Sequence, residues 1–372
     1  MGIYEELGVR PLINAAGTVT DYGGSVMDPE IFAVMREANR EFCRLEDLHP
    51  AVGRRIAGLL DVEAAYVTSS AAAGLLVTTA ACIAGTDPER ITQLPDTAGM
   101  KSEVVVQSIH RLAYDQAMRL AGATFVEVSD AGEPPTRALR EAVGPDTAAI
   151  LCMAHRLGDP ASVPLADLVH IARGAGGPLL VDAPPECPPL STLTRFWKAG
   201  ADLTIFSGGK SIMGPQSTGL VVGRQDLIDA CMANGNPFAT VGRPAKVSRE
   251  EIVGFLKALE RYLARDHGAD RERWTAQVDH VERALAGAGH PIALERIQKA
   301  DTYTVPMLAV RTLPAAGFTA GQLSQALMDG DPRVVVAQHF IGDGVVVNPH
   351  MLKPGQERIV AERCLQVLAE IA

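Results

Sequence analysis

Seven short apolar runs rich in β-branched residues recur along the first two thirds of the chain: "AAYVTS" at 64–69, "EVVVQS" at 103–108, "TFVEVS" at 124–129, "AAILCMA" at 148–154, "PLLVDA" at 178–183, "LTIFS" at 203–207 and "GLVVG" at 219–223. Runs this short, with little polar alternation, read as strands buried on both faces. Longer stretches with helical spacing separate them, among them "AAAGLLVTTAACIAG", "RLAYDQAMRLAG" and "ADLVHIARGAG". Strands alternating with helices predict an α/β architecture with a mostly parallel seven-stranded sheet. After Val247 the pattern becomes a long amphipathic helical region, opened by Ser248 as N-cap with Glu251 three residues on. From about Ile292, "YTVPMLAV", "VVVAQHF" and "GVVVNPH" alternate with helical segments and predict a smaller α+β domain. The organisation expected is an N-terminal segment over 1–40 that contributes to the active site, a large domain over 41–250, and a linking helix with a small domain over 251–372.

Composition narrows the function classes. The chain has 372 residues, 47% of them hydrophobic and 21% charged, which is ordinary for a globular protein. Its formal net charge of -10, with no clustered run of lysine and arginine, argues against a nucleic-acid partner. The first residues show neither a signal peptide nor a membrane span, so a cytoplasmic protein is expected. Six cysteines are scattered without a C-x-x-C pair and nine histidines show no ligand spacing, so no metal site is expected.

Candidate chemistry gathers at strand ends, where open α/β sheets bind their ligands. Lys210 follows "LTIFS" by three residues, in "SGGKS". Asp182 closes the apolar run "PLLVD", a costly position for a carboxylate that lacks a cationic partner. Thr68, Ser69 and Ser70 precede a helix of small residues, where free N–H groups and the helix dipole favour an anion. An amine, a carboxylate and a phosphate cradle match the needs of pyridoxal 5'-phosphate. Taken singly, the same features are a loop charge, a helix cap and an N-capped helix; in combination they point to the cofactor. No G-x-G-x-x-G follows a strand, and no P-loop pattern occurs.

The segment "FSGGKSIMGPQSTGLVVGR" resembles the lysine motif of bacterial selenocysteine synthase (seryl-tRNA selenium transferase) and, more closely, of the D-glucosaminate-6-phosphate ammonia-lyase group. So do "GVRPLINAAGTVTDYGGS", "VGRRIAGLLDVEAAYVTSSAAAGLL", "VVVQSIHRLAYDQAMRLAGA" and "NGNPFATVGRPAKVSREEIVGFLKALE". The resemblance implies a fold-type I pyridoxal-phosphate enzyme. In it Lys210 is the Schiff-base lysine, Asp182 faces the pyridine nitrogen, Ser69, Ser70, Ala71, Ala72 and Ser207 surround the phosphate, and His110 stacks on the ring. Gln216, Thr240 and Gly242 complete the implied cofactor set. The chain departs from the group at "SIH", where the ammonia-lyases carry "RGH".

The expected reaction is α,β-elimination with ammonia release from a hydroxylated amino acid or amino sugar acid, giving a 2-oxo acid. An aminotransferase, a racemase, a β-substituting lyase, and a non-catalytic protein of the same fold remain open alternatives. Thr18, Thr20, Ser25 and Arg243 are candidate substrate contacts, against a turn-rich lead-in or a solvated loop charge. The phosphate cradle contains no lysine or arginine, and the resemblance places "NGNPFATVGRPAKV" where a neighbouring subunit completes the site. A homodimer or higher even oligomer is therefore expected, with Thr240, Gly242 or Arg243 reaching the partner's cofactor.

Overall fold

The computed structural model describes residues 2–129, 135–175, 177–184, 187–287, 289–299, 303–338 and 341–371. The end of the expected "VVVAQHF" run, at 339–340, lies outside the described residues. The chain forms two compact units, Met27–Ala264 and a second made of Met1–Val26 with Arg265–Ala372.

The strands, in chain order, are β1 (Leu12–Ala15), β2 (Ala64–Thr68), β3 (Glu103–Gln107), β4 (Thr124–Val128), β5 (Thr147–Met153), β6 (Leu179–Asp182), β7 (Leu203–Ser207), β8 (Gly219–Gly223), β9 (Ile292–Lys299), β10 (Tyr303–Thr312), β11 (Arg333–Val336) and β12 (Gly344–Val347). In the larger unit the sheet order is β2-β8-β7-β6-β5-β3-β4. β8 runs antiparallel to both of its neighbours and the other pairings are parallel. Every residue of β2, β5, β6 and β8 is buried. Successive side chains enter opposite cores: Val105, Ile150 and Val181 join one, Val104, Val106 and Leu180 the other. Helices cover both faces, so neither face needs a polar row, and the apolar runs follow from that.

The Ser248 cap forms as the sequence indicates: Glu251 N–H donates to Ser248 Oγ (3.2 Å) and Ser248 N–H to a Glu251 carboxylate oxygen (2.9 Å). The helical region it opens is not continuous. The helix Arg249–Ala264 ends, and Asp266 caps a second helix, His267–Ala286, by accepting from Ala269 N–H at 2.9 Å.

In the smaller unit β10 lies between β9 and β12 in an antiparallel sheet, while β1 pairs in parallel with β11. Asn348 links the N-terminal stretch to this unit, donating its backbone N–H to Ala15 O at 2.8 Å and its side-chain amide to Tyr303 Oη at 3.1 Å. Gly17 turns against that amide with φ +88°, and a Cβ there would lie 2.5 Å from Asn348 Nδ2. Left-handed backbone and a filled neighbour both require glycine. Gly17→Ala is accordingly expected to lower stability by at least about 1–3 kcal/mol, the range for one strained backbone site. Its urea midpoint should fall at unchanged m-value; an unaltered midpoint would show that the segment repacks without strain.

Candidate active site

The carboxyl ends of the parallel strands bring four of the sequence candidates to one edge of the larger unit's sheet. Across neighbouring strands lie Ser207 and the Lys210 turn after β7, Asp182 at the end of β6, Met153 at the end of β5, and His110 just past β3. Pairing fixes the register: Asp182 is opposite Met153 on one side and Ile205 on the other. Asp182 is 2% exposed.

Lys210 is half-buried in a turn that its own backbone ties down. Gly208 N–H donates to Thr218 O (2.8 Å), Gly214 N–H to Gly208 O (2.9 Å) and Met213 N–H to Lys210 O (2.9 Å). Ser211 Oγ donates to Cys187 O at 2.5 Å. A side chain at Gly208 would strike Thr218 and Phe255, and one at Gly209 would strike the backbone of Gln216. Met213 holds φ +60°, a strained conformation for a non-glycine residue. The two glycines before the lysine therefore answer to the folding back of residues 208–218, and Lys210 is displayed on the resulting platform.

The cradle is assembled through Gly219. It pairs with Thr68 on β2 and with Ser207 on β7, which places those two strand ends in one row. A Cβ at Gly219 would run into the Ser70 carbonyl, so the Ser69–Ser70 turn lies directly over this row. Thr68 Oγ1 donates to Ser70 O (2.8 Å), and Ser70 Oγ caps the helix Ala71–Ala84 by accepting from Ala73 N–H (2.9 Å). Ala71 and Ala72 lie in the first turn, whose N–H groups a helix cannot satisfy internally. Ser69, Ser70, Ala71, Ala72 and Ser207 thus lie about one strand-end row at the positive end of a 14-residue helix, a setting suited to a phosphate. Together with a lysine and a buried aspartate at adjacent strand ends, this donor set fits pyridoxal 5'-phosphate.

His110 is 1% exposed, and both ring nitrogens are engaged. Met153 N–H donates to Nδ1 at 3.0 Å, and Nε2 lies 3.0 Å from Ser162 Oγ. Burial foremost, then the nearby His155 and Arg156, push the imidazole pKa down to about 4. His155 extends from the end of β5, between the strands carrying His110 and Asp182; with Gln107 and Ser162 it is a site neighbour that the sequence reading passes over.

The other candidates form separate groups. Gln216 is exposed, and its side-chain oxygen lies against Gly209, beside Lys210 in the chain: a Cβ at Gly209 would run into Gln216 Oε1. Thr240, Gly242 and Arg243 are anchored at the end of the helix Gln225–Asn234: Thr240 Oγ1 donates to Asn234 O at 2.5 Å and Gly242 N–H to the same oxygen at 3.2 Å. Arg243 is exposed. Thr18, Thr20 and Ser25 belong to the smaller unit, where Thr20 opens a short 3-10 turn, Thr20–Tyr22. A groove of about 520 Å³ lined by Arg54, Asp61, Glu63 and Asp229 touches Ala64 and Ala65, the start of β2 and not the end that bears the cradle. No cluster of metal-ligating side chains occurs among the described residues.

A family model described as L-seryl-tRNA selenium transferase matches residues 12–272. The chain belongs to that family. A 5'-C-glycyluridine monooxygenase-decarboxylase from Streptomyces sp is 31% identical, over 99% of this chain and 92% of its own length. A D-glucosaminate-6-phosphate ammonia lyase from Salmonella typhimurium is 29% identical, over 100% and 98%. The solved structure of a D-glucosaminate-6-phosphate ammonia-lyase superposes with a TM-score of 0.85 at 26% identity, covering 100% of this chain and 99% of the other. The fold is that of fold-type I pyridoxal-phosphate enzymes, shared with more distant solved structures at 15% and 17% identity. No helix among the described residues is long and apolar enough to cross a membrane.

Proposed function

We propose that this member of the family is a pyridoxal 5'-phosphate-dependent lyase that releases ammonia from a hydroxylated amino acid or amino sugar acid and yields a 2-oxo acid. The observation that carries the reading is the joint placement of Lys210, Asp182 and the Ser69–Ala72 and Ser207 cradle at the carboxyl ends of β7, β6 and β2, with β8 bridging β7 and β2. End-to-end similarity to an ammonia lyase supports it.

The bound cofactor supplies an electron sink for negative charge at the substrate Cα. Lys210 Nζ would hold the cofactor and, with the substrate bound, would take the proton from Cα as general base. Asp182 holds a proton on the pyridine nitrogen by opposing its charge in a buried setting. The cradle binds the phosphate, His110 packs against the ring, and Gln216 borders the site. Thr18, Thr20 and Ser25 hold the substrate's hydroxyls or carboxylate. Thr240, Gly242 and Arg243 complete the partner's site in a homodimer or higher even oligomer. Phe42, 96% exposed, and Phe238, 41% exposed, offer apolar surface for a second copy to cover. We place the enzyme in the cytoplasm.

The similarity to a monooxygenase-decarboxylase favours a second reading, oxidative decarboxylation of an amino acid on the same lysine and aspartate. A panel of hydroxylated amino acids and amino sugar acids, assayed for ammonia, oxo acid, carbon dioxide and oxygen uptake, separates the two. Ammonia with an equal amount of oxo acid and no oxygen uptake is the expected result. Oxygen uptake with carbon dioxide establishes the second reading, and turnover that requires an added oxo acid establishes a transaminase.

A further inference from the structure

His110 is wedged between a backbone donor and a loop that has its own clamp. Ser162 Oγ donates to Val163 O at 3.2 Å, so toward His110 it accepts, and the proton between them belongs to Nε2. On the opposite edge Met153 N–H occupies Nδ1 at 3.0 Å, and a proton there would set two donors face to face. The loop that presents Ser162 is fixed from β3: the Gln107 amide donates to Ala161 O at 3.2 Å and accepts from Val163 N–H at 2.7 Å. Gln107 is 1% exposed and Ser162 is 7% exposed, so water does not compete for these bonds. The chain has thus tied two strand-end segments, 107–110 and 153, and the loop 161–163 around one imidazole.

We propose that Ser162 and Gln107 are positioning residues that hold His110 as a single neutral tautomer with its proton on Nε2, making the imidazole a fixed, uncharged wall of the active site that takes no part in proton transfer. This rests on the cofactor reading above for its role, but the lock itself is a property of the chain alone. The charged and titratable neighbours are His155, Arg156 and Asp159. The first two oppose a positive charge on His110 and the third favours it, while burial reinforces the cations. An unfolded histidine titrates near about 6.5, so the lock is tested across and above that value.

Long-range proton–nitrogen spectra of the full chain, labelled at histidine and with the His110 signal assigned by loss in His110→Asn, read the tautomer directly. With and without added cofactor, the signal should keep the Nε2–H pattern from about pH 5.5 to 9, the window in which a free histidine changes charge. An Nδ1–H pattern, or titration inside that window, overturns the proposal. In Ser162→Ala the Met153 N–H still occupies Nδ1, so the Nε2–H pattern should persist, while the Nε2 proton exchanges with water faster and cofactor affinity falls roughly two- to tenfold, the effect of one net hydrogen bond. Ser162→Thr should restore both, and an Ala variant with unchanged proton exchange and affinity removes Ser162 from the lock. The pH–rate profile gives a separate readout: His110→Phe should lower turnover yet leave both limbs where they are, whereas loss of a limb overturns the exclusion of His110 from proton transfer. If the wild-type chain binds no cofactor while the tautomer pattern holds, the cofactor reading fails and the lock stands.

Discussion

Lys210→Ala is expected to lose turnover by at least about ten-thousandfold, the upper end of what one positioned proton-transfer group contributes, because the same nitrogen also holds the cofactor. The loss should be chemical in origin and not a folding defect. Bonds from the backbone N–H groups of Gly208, Met213 and Gly214 and from Ser211 Oγ shape residues 208–218, and an alanine at 210 retains all four. A variant with unchanged thermal unfolding and no turnover is therefore the expected pair of results. Borohydride treatment of the wild type, followed by peptide mapping, should leave the cofactor mass on the peptide that contains Lys210. Lys246, exposed past the Arg243–Ala245 turn, serves as the control, since its replacement should leave that adduct in place. An adduct on another lysine, or turnover in Lys210→Ala within tenfold of wild type, would remove Lys210 from its role.

The residues that made Lys210 and Asp182 conspicuous in the sequence are those whose position depends on local pattern alone. β7 and β8 occupy the segments that their apolar runs indicate, at Leu203–Ser207 and Gly219–Gly223, because a strand buried on both faces leaves a continuous apolar signature. The Ser248 cap was equally visible, since both of its bonds span three residues. Direction was harder to read: nothing in "GLVVG" distinguishes an antiparallel strand from a parallel one, and β8 is antiparallel to both neighbours. β1 and β9 lacked a signal for different reasons. "LINA" is four residues long and finds its partner β11 more than three hundred residues away, and "IALERIQK" is an edge strand in which the consecutive exposed pair Glu295 and Arg296 breaks any alternation. The clamp on His110 was illegible for the same reason as β1. Gln107 and Ser162 meet their partners across 52 to 56 residues, and only the adjacency of β3 and β5 in the sheet brings them together.

Asp182→Asn separates cofactor binding from electron withdrawal. The side chain ends β6 in the middle of the sheet, 2% exposed, between Met153 on β5 and Ile205 on β7. An asparagine has the same shape, so the packing of that row and the phosphate cradle at the ends of β7 and β2 should survive, and the variant should still bind cofactor. What it lacks is the negative charge. A carboxylate in a low-dielectric site favours protonation of the nitrogen it faces far more strongly than a neutral amide can, and without that proton the ring accepts charge from Cα poorly. Turnover should fall roughly a hundred- to a thousandfold, the loss seen when one group that stabilises developing charge is removed, with KM little changed because the substrate's own contacts remain. Asp182→Glu restores the charge but adds a methylene to a fully packed strand end, and should recover part of the loss at some cost in stability. Near-normal turnover in Asp182→Asn would show that the pyridine nitrogen needs no counter-charge here and would take Asp182 out of the chemistry.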